Sequence, residues 1–217
     1  MELLSIGVLA SGRGSNFQSI IDAIESGSLK AKIVLLISDN PNAFAIERAR
    51  KHDIEPLIMV PGQHATRNDY YKAVVRELRT REVGLVVLAG FMRIIGRPLI
   101  EAYPGRIMNI HPALLPSFPG LHGQKQAQDY GVRISGCTVH FVDEGMDTGP
   151  VIIQAAVPVA FEDTEDSLSE RILKLEHKIF PEAIRLFSEG RLEVIGRKVK
   201  IAGAAPDKSF LVFPPLD

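Results

Sequence analysis

Apolar runs alternate with amphipathic stretches along the first half of the chain. Leu3 to Ala10 is largely apolar and predicts a buried strand, and Ser15 to Ser26 follows with helical spacing. Ala31 to Ser38, carrying Ile33-Val34-Leu35-Leu36-Ile37, predicts a second buried strand. Asn42 to His52 is helical, a short strand lies near Pro56 to Val60, and a longer helix runs from Ala65 to Arg81. The cations of that helix (Arg67, Lys72, Arg76, Arg79 and Arg81) mark a mostly solvated face. Gly84 to Ala89 is again a buried strand. Strands apolar on both faces, alternating with helices, predict an α/β fold: one open, mostly parallel sheet with helices on both sides.

After Gly90 the texture changes. Arg106 to His111 predicts a strand that stops at Pro112, and Pro112 to Gly123 predicts a long ordered loop, holding Pro112, Pro116, Pro119, Gly120 and Gly123. Ile134 to Val142 and Val151 to Val159 predict two more strands, antiparallel to the rest. Asp163-Thr164-Glu165-Asp166 supplies a cap and an acidic first turn for a helix whose Leu168, Ile172, Leu175, Ile179 and Leu186 share one side. Pro181 is expected to kink it. Leu192 to Ile201 predicts an edge hairpin around Gly196, and residues 203–217 a loosely packed tail.

No repeat, low-complexity tract or composition break marks a linker. With 217 residues and 46% hydrophobic content, the chain suits a single domain over residues 1–217 with one sizeable core. The 25 basic and 26 acidic residues leave a formal charge of −1, so the basic footprint of a nucleic-acid binder is lacking. The lone Cys137 sits in an apolar run and reads as a buried strand residue, without a disulfide framework or zinc cage. No segment reaches the ~20 apolar residues that span a bilayer, and the N-terminus reads as no signal peptide. The expectation is a cytoplasmic protein without a membrane or nucleic-acid partner.

Candidate chemistry falls in two places. Gly12-Arg13-Gly14-Ser15-Asn16 lies between a strand and a helix, where free backbone N–H groups suit a phosphate. The third glycine of a dinucleotide fingerprint would fall at Phe17, and no Gly-Lys-Ser/Thr follows, so a monophosphate fits better than a dinucleotide. Asn109 and His111 are two apart at the carboxyl end of a strand, so they share a face at the end where ligands bind in such sheets. Asn supplies a neutral donor for an oxyanion, and His a proton donor near neutral pH. The loop Asp143-Glu144-Gly145-Met146-Asp147 offers three carboxylates to orient that histidine, and spacing does not choose among them. Histidines 52, 64, 111, 122, 140 and 177 show no metal-ligand spacing, so no metal is expected.

Four stretches carry a resemblance: Leu88 to Ile94; Asn109-Ile110-His111-Pro112-Ala113-Leu114-Leu115-Pro116; Pro119-Gly120-Leu121-His122; and Thr138 to Val142 continuing to Asp147-Thr148-Gly149-Pro150. Together they resemble the phosphoribosylglycinamide formyltransferases, over nearly the whole chain from Gly12 to about Gly190. The resemblance implies a Rossmann-like formyltransferase fold, with a phosphate-binding N-terminal half and a folate-binding C-terminal half. It implies 10-formyltetrahydrofolate as co-substrate, glycinamide ribonucleotide as acceptor, and a place in purine synthesis. It singles out Asn109, His111 and Asp147 as the catalytic trio. Gly14, Ser15, Asn16, Phe17 and Gln18 match the phosphate loop, and Glu176 a carboxylate on the glycinamide side. Arg67, Met92, Arg93, Ile94, Ile95, Asn109, Asp143, Glu144, Gly145, Met146 and Asp147 match folate contacts. Arg13 stands where relatives carry a smaller residue, and either contacts the phosphate or faces solvent.

The implied reaction is attack of the acceptor amine on the formyl carbon. Asn109 and a charged His111 would hold the oxyanion, with Asp147 beside the imidazole. The proton would pass to the folate nitrogen through water or His111. Partners are small molecules only, for a monomer or homodimer. A formyltetrahydrofolate hydrolase shares the centre but normally carries an N-terminal regulatory domain, whereas the first strand here begins at residue 3. Methionyl-tRNA formyltransferase needs a further C-terminal domain and a basic surface. A non-catalytic sugar-phosphate-binding module would explain the glycine loop alone.

Overall fold

A computed structural model of the chain describes residues 3–204. Its strands are β1 (Leu4–Leu9), β2 (Ala31–Ser38), β3 (Pro56–Ile58), β4 (Leu85–Leu88), β5 (Ile107–His111), β6 (Ile134–Phe141), β7 (Val151–Pro158), β8 (Leu192–Ile195) and β9 (Lys198–Ile201). They form one sheet in the order β3-β2-β1-β4-β5-β6-β7-β9-β8. The ladders from β3 through β5 are parallel, β5 to β6 and β6 to β7 are antiparallel, and β7 to β9 is parallel again. The predicted edge hairpin is present, with Gly196 at φ 59° in its turn and β8 outermost.

The helices are α1 (Ser15–Glu25), α2 (Phe44–Lys51), α3 (Arg67–Thr80), α4 (Arg97–Ala102), α5 (Gly123–Tyr130) and α6 (Glu165–Ser188). Alternate strand residues feed two cores, which is why the strand sequences are apolar throughout. Ile6, Val8, Leu85 and Val87 face one core with Phe17 and Ile20 of α1 and Phe180 and Ile184 of α6. Leu9, Val86 and Leu88 face the other, with Tyr70, Tyr71 and Leu78 of α3 and Leu99 of α4. Cys137 is fully buried with Leu168 and Ile172 where β6 and β7 meet α6.

The structure adds to the sequence reading in three places. The helices α4 and α5 were not expected. α4 is only six residues with proline in its first turn, and α5 buries just Gly123 and Ala127, so neither carries apolar periodicity. The long loop therefore ends where α5 begins. α6 runs through Pro181 as one helix: Pro181 is buried beside Phe180, Ala183 and Ile184, and that packing offsets the missing backbone bond, a cost of about 3 kcal/mol. The cations of α3 and its C-cap are mostly exposed, as expected, while Arg81 pairs with Glu55 and Glu77, and Arg67 donates to the carbonyls of Ile94 and Ile95.

The strand order reverses between β1 and β4, which opens a crevice at their carboxyl ends. Ser11 spans it, donating its N–H to the Gly90 carbonyl at 3.0 Å and accepting the Met92 N–H on its hydroxyl at 2.9 Å. The carboxyl end of β5 lies beside that crevice.

Candidate active site

β5 sets the first two residues. Ile107 faces the core shared with α3 and α4. On the same face, two and four residues later, come Asn109 and His111. The loops from Pro112 to His122 and from Val142 to Pro150 reach His111 through Phe118 and Asp147. His111 is 4% exposed. Its Nε2 lies 2.8 Å from the Phe118 carbonyl oxygen, and its Nδ1 lies 3.4 Å from Oδ2 of Asp147. Both ring nitrogens thus face oxygen atoms.

Of the three loop carboxylates, Asp147 is the one at the histidine. Its Oδ2 accepts the Gly120 N–H at 2.8 Å, tying the two covering loops together. Asp147 holds φ at 54°, a left-handed conformation that aspartate tolerates better than most residues. Asp143 has a different job: its Oδ1 accepts from the Gly145 N–H and the Thr148 hydroxyl and so shapes the loop. Glu144 points into solvent. Gly123 packs closely on the site: a Cβ there would lie 3.3 Å from both His111 Nε2 and the Phe118 carbonyl, a tight contact.

β6 supplies residues that the sequence reading passed over. In the antiparallel register Asn109 stands opposite His140, and His111 opposite Thr138. His140 is 2% exposed, and its Nε2 is 3.2 Å from Asn109 Nδ2 and 3.7 Å from Asp147 Oδ1. Burial lowers its pKa below the ordinary histidine value, outweighing the Phe141 carbonyl and Asp147, which act the other way. The Thr138 hydroxyl donates to the Ala113 carbonyl and accepts from the Leu115 N–H, pinning the chain just after His111. The alternation Thr138-Val139-His140 on an otherwise apolar strand was the available signal: two polar side chains on one face of a buried strand need a reason.

The glycine loop behaves as a tight turn and as a cradle. Gly14 caps α1 at φ 69°, and a Cβ there would meet that of Ala45 at 2.8 Å. Asn16 is 8% exposed and donates to Glu176 Oε2 at 2.6 Å, while its Oδ1 has no partner among the described residues. Glu176 is the one carboxylate in the buried stripe Leu168, Ile172, Glu176, Phe180 and Ile184 of α6. Burial pushes its carboxyl above the usual range, against the pull of the Asn16 amide. Ser15 is half-buried at the start of α1. The Phe17 side chain is fully buried in the core, so only its backbone faces the loop. Gln18 is held by Arg48 and Asp22. Arg13 faces solvent, and its carbonyl accepts from Arg48 at 2.9 Å.

The remaining predicted residues differ in exposure. Met92, Ile94 and Met146 are large apolar side chains 63%, 56% and 51% exposed. Arg67 fixes Ile94 and Ile95 through their carbonyls, Ile95 itself is buried, and Arg93 pairs with the buried Asp39. No group of three or more His, Cys, Asp or Glu side chains suited to a metal occurs among the described residues.

A family model described as formyl transferase matches residues 4–184. The chain belongs to the formyl transferase family. Within that family it is 45% identical over 178 residues to phosphoribosylglycinamide formyltransferase of Bacillus subtilis, covering 82% of this chain and 91% of that protein. It is 46% identical over 187 residues to the trifunctional purine biosynthetic protein adenosine-3 of Drosophila melanogaster, covering 85% of this chain but only 14% of that much longer protein. The crystal structure of glycinamide ribonucleotide transformylase 1 from Symbiobacterium toebii superposes with a TM-score of 0.91 at 49% identity, covering 92% of this chain and 94% of that one. The fold is therefore shared over most of this chain.

Proposed function

We propose that this formyl transferase moves the formyl group of 10-formyltetrahydrofolate to the amine of N1-(5-phosphoribosyl)glycinamide, a step of de novo purine synthesis in the cytoplasm. The observation that carries the reading is the convergence of Asn109, His111 and Asp147 beneath two loops at the carboxyl edge of β5. The acceptor amine attacks the formyl carbon and makes a tetrahedral oxyanion. An Asn109 N–H and the His111 imidazolium stabilise it, and Asp147 balances the imidazolium charge. Removing one such donor typically costs ~3 kcal/mol. The amine loses a proton, the C–N10 bond breaks, and N10 takes up a proton by way of water or His111.

The two ligands have separate seats. The N-terminal half holds the sugar phosphate on the backbone of Gly14, Ser15, Asn16, Phe17 and Gln18, where the positive end of α1 suits an anion. The unpartnered Asn16 Oδ1 and buried Glu176 face the acceptor's polar groups. The C-terminal half holds the folate between Arg67, Met92, Arg93, Ile94 and Ile95 on one side and residues 143–147 on the other, with Met92, Ile94 and Met146 covering the pterin and Arg67 beside it. No helix of the described residues is long and apolar enough to cross a membrane.

The deciding experiment follows the absorbance change as a 10-formyl folate analogue is deformylated, with and without glycinamide ribonucleotide. Turnover that requires the amine is the expected result. Turnover without it would assign a hydrolase, and no turnover would leave a sugar-phosphate-binding module.

A further inference from the structure

His140 is a fully enclosed titratable side chain to which the reaction above gives no task. Its Nδ1 lies 2.8 Å from the carbonyl oxygen of Phe141. A carbonyl only accepts, so Nδ1 carries the proton. Burial disfavours the charged ring, and a neutral ring has one proton, so Nε2 presents a lone pair. The atom in front of that lone pair is Asn109 Nδ2, at 3.2 Å. The Asn109 amide must then turn an N–H, and not its oxygen, toward His140. The charged and titratable groups facing His140 from the packed elements are Asp147, Asp143 and His111.

We infer that His140 is a positioning residue: a backbone carbonyl fixes its Nδ1–H tautomer, and the exposed lone pair fixes the orientation of the Asn109 amide. The second N–H of that amide is left for the oxyanion. With the amide reversed, its oxygen would face the developing negative charge and destabilise it. The antiparallel register supports this assignment, since Asn109 and His140 are directly opposed and such pairs lie close enough for side chains to bond. The arrangement parallels the way outer partners set the tautomer of active-site groups elsewhere. The rival arrangement puts a proton on Nε2 and pairs it with Asp147 Oδ1, 3.7 Å away.

The inference rests on the formyl-transfer reading only for its rate arm. The first measurement needs no activity: imidazole nitrogen-15 spectra of the wild-type protein, with His140 assigned by difference from His140→Gln. A protonated Nδ1 and bare Nε2, unchanged between about pH 8 and about pH 6, is expected for a buried histidine held below its ordinary pKa. A protonated Nε2 would overturn the inference. The second measurement is a double-mutant cycle on formyl transfer. His140→Leu should lower kcat by about tenfold to a hundredfold with little change in either KM, the scale of one misplaced oxyanion donor. In an Asn109→Ala background the same change should cost less than about twofold, because the partner is already gone. His140→Gln, whose side-chain oxygen can also accept, should recover part of the loss. Equal factors in both backgrounds would mean a merely structural histidine and would overturn the proposal. Should His140→Leu fail to fold, the wild-type tautomer and the His140→Gln cycle decide. An inactive wild type would sink the functional reading and leave the tautomer result standing.

Discussion

Thr138 gives the sharpest test of how the site is held. Its hydroxyl is fully buried and stands opposite His111 across the β5–β6 ladder. It donates to the Ala113 carbonyl at 2.7 Å and accepts from the Leu115 N–H at 3.1 Å and from Gln154 Nε2 at 3.0 Å. Thr138→Val keeps the shape and removes all three bonds. Gln154 retains the Leu115 carbonyl at 2.9 Å, so its loss is small. Ala113 O and Leu115 N–H are buried, and an unpaired buried backbone group costs about 1–3 kcal/mol. They already approach each other at 3.2 Å, so part of that cost is recovered within the turn. The net destabilisation should be about 2–3 kcal/mol, or roughly 4–12 °C in Tm for a chain of this size. Because the freed turn directly follows His111, kcat should fall by about tenfold while the sheet stays intact. Thr138→Ser keeps the hydroxyl and loses one methyl, worth about 0.8 kcal/mol. Thermal unfolding and steady-state formyl transfer on both variants make the comparison. If Thr138→Val melts within about 2 °C of wild type while Thr138→Ser melts lower, the buried-hydroxyl argument is refuted.

Three further outcomes follow from the same contacts. Asp147→Asn should fold, since the Asn oxygen can still accept from Gly120 and asparagine tolerates the left-handed backbone; turnover should fall by ~10²-fold through loss of the charge beside His111, and a near-normal kcat would exclude the trio. Asn16→Ala should raise KM for the phosphorylated substrate by about tenfold, near 1.4 kcal/mol, with the folate KM almost unmoved; equal shifts in both would argue against the phosphate seat. Asp163 is gripped by both terminal nitrogens of Arg171 at 2.7 Å, which holds its carboxyl well below the usual range. A folded pKa below the unfolded value of about 3.9 means stability present above that pH and lost as pH falls. Arg171→Gln should therefore lower Tm most near neutrality, with the gap from wild type closing below about pH 4; a gap independent of pH would contradict the pairing.

The fold was legible wherever burial is two-sided. The continuous apolar runs of β1, β2 and β4 leave no solvated face, and that pattern alone implies a covered parallel sheet. The cap at Thr164 and the hairpin at Gly196 were legible because each rests on a local rule of backbone chemistry. α5 was not, because its interior contacts amount to Gly123 and Ala127 and its remaining residues are polar. At Pro181 of α6, proline's local cost is visible in a sequence, while the core packing that offsets it is not.

The site divides along the same line. Strand periodicity by itself put Asn109 and His111 on one face at the ligand-binding end of β5, and the strand–glycine–helix order marked Gly14 to Asn16. Both are short-range facts, fixed by two residues per strand repeat and by the free N–H groups of a helix start. Which of Asp143, Glu144 and Asp147 meets the histidine depends on how a nine-residue loop curls back over β5. The pairing of Asn16 with Glu176 across 160 positions, and of Asn109 with His140 across 31, depends on which elements the sheet order makes neighbours. Sequence patterning selects which residues are buried and which local turns close; only the tertiary structure decides which distant polar groups are enclosed together, because that choice is made by packing the whole sheet and not by any one segment.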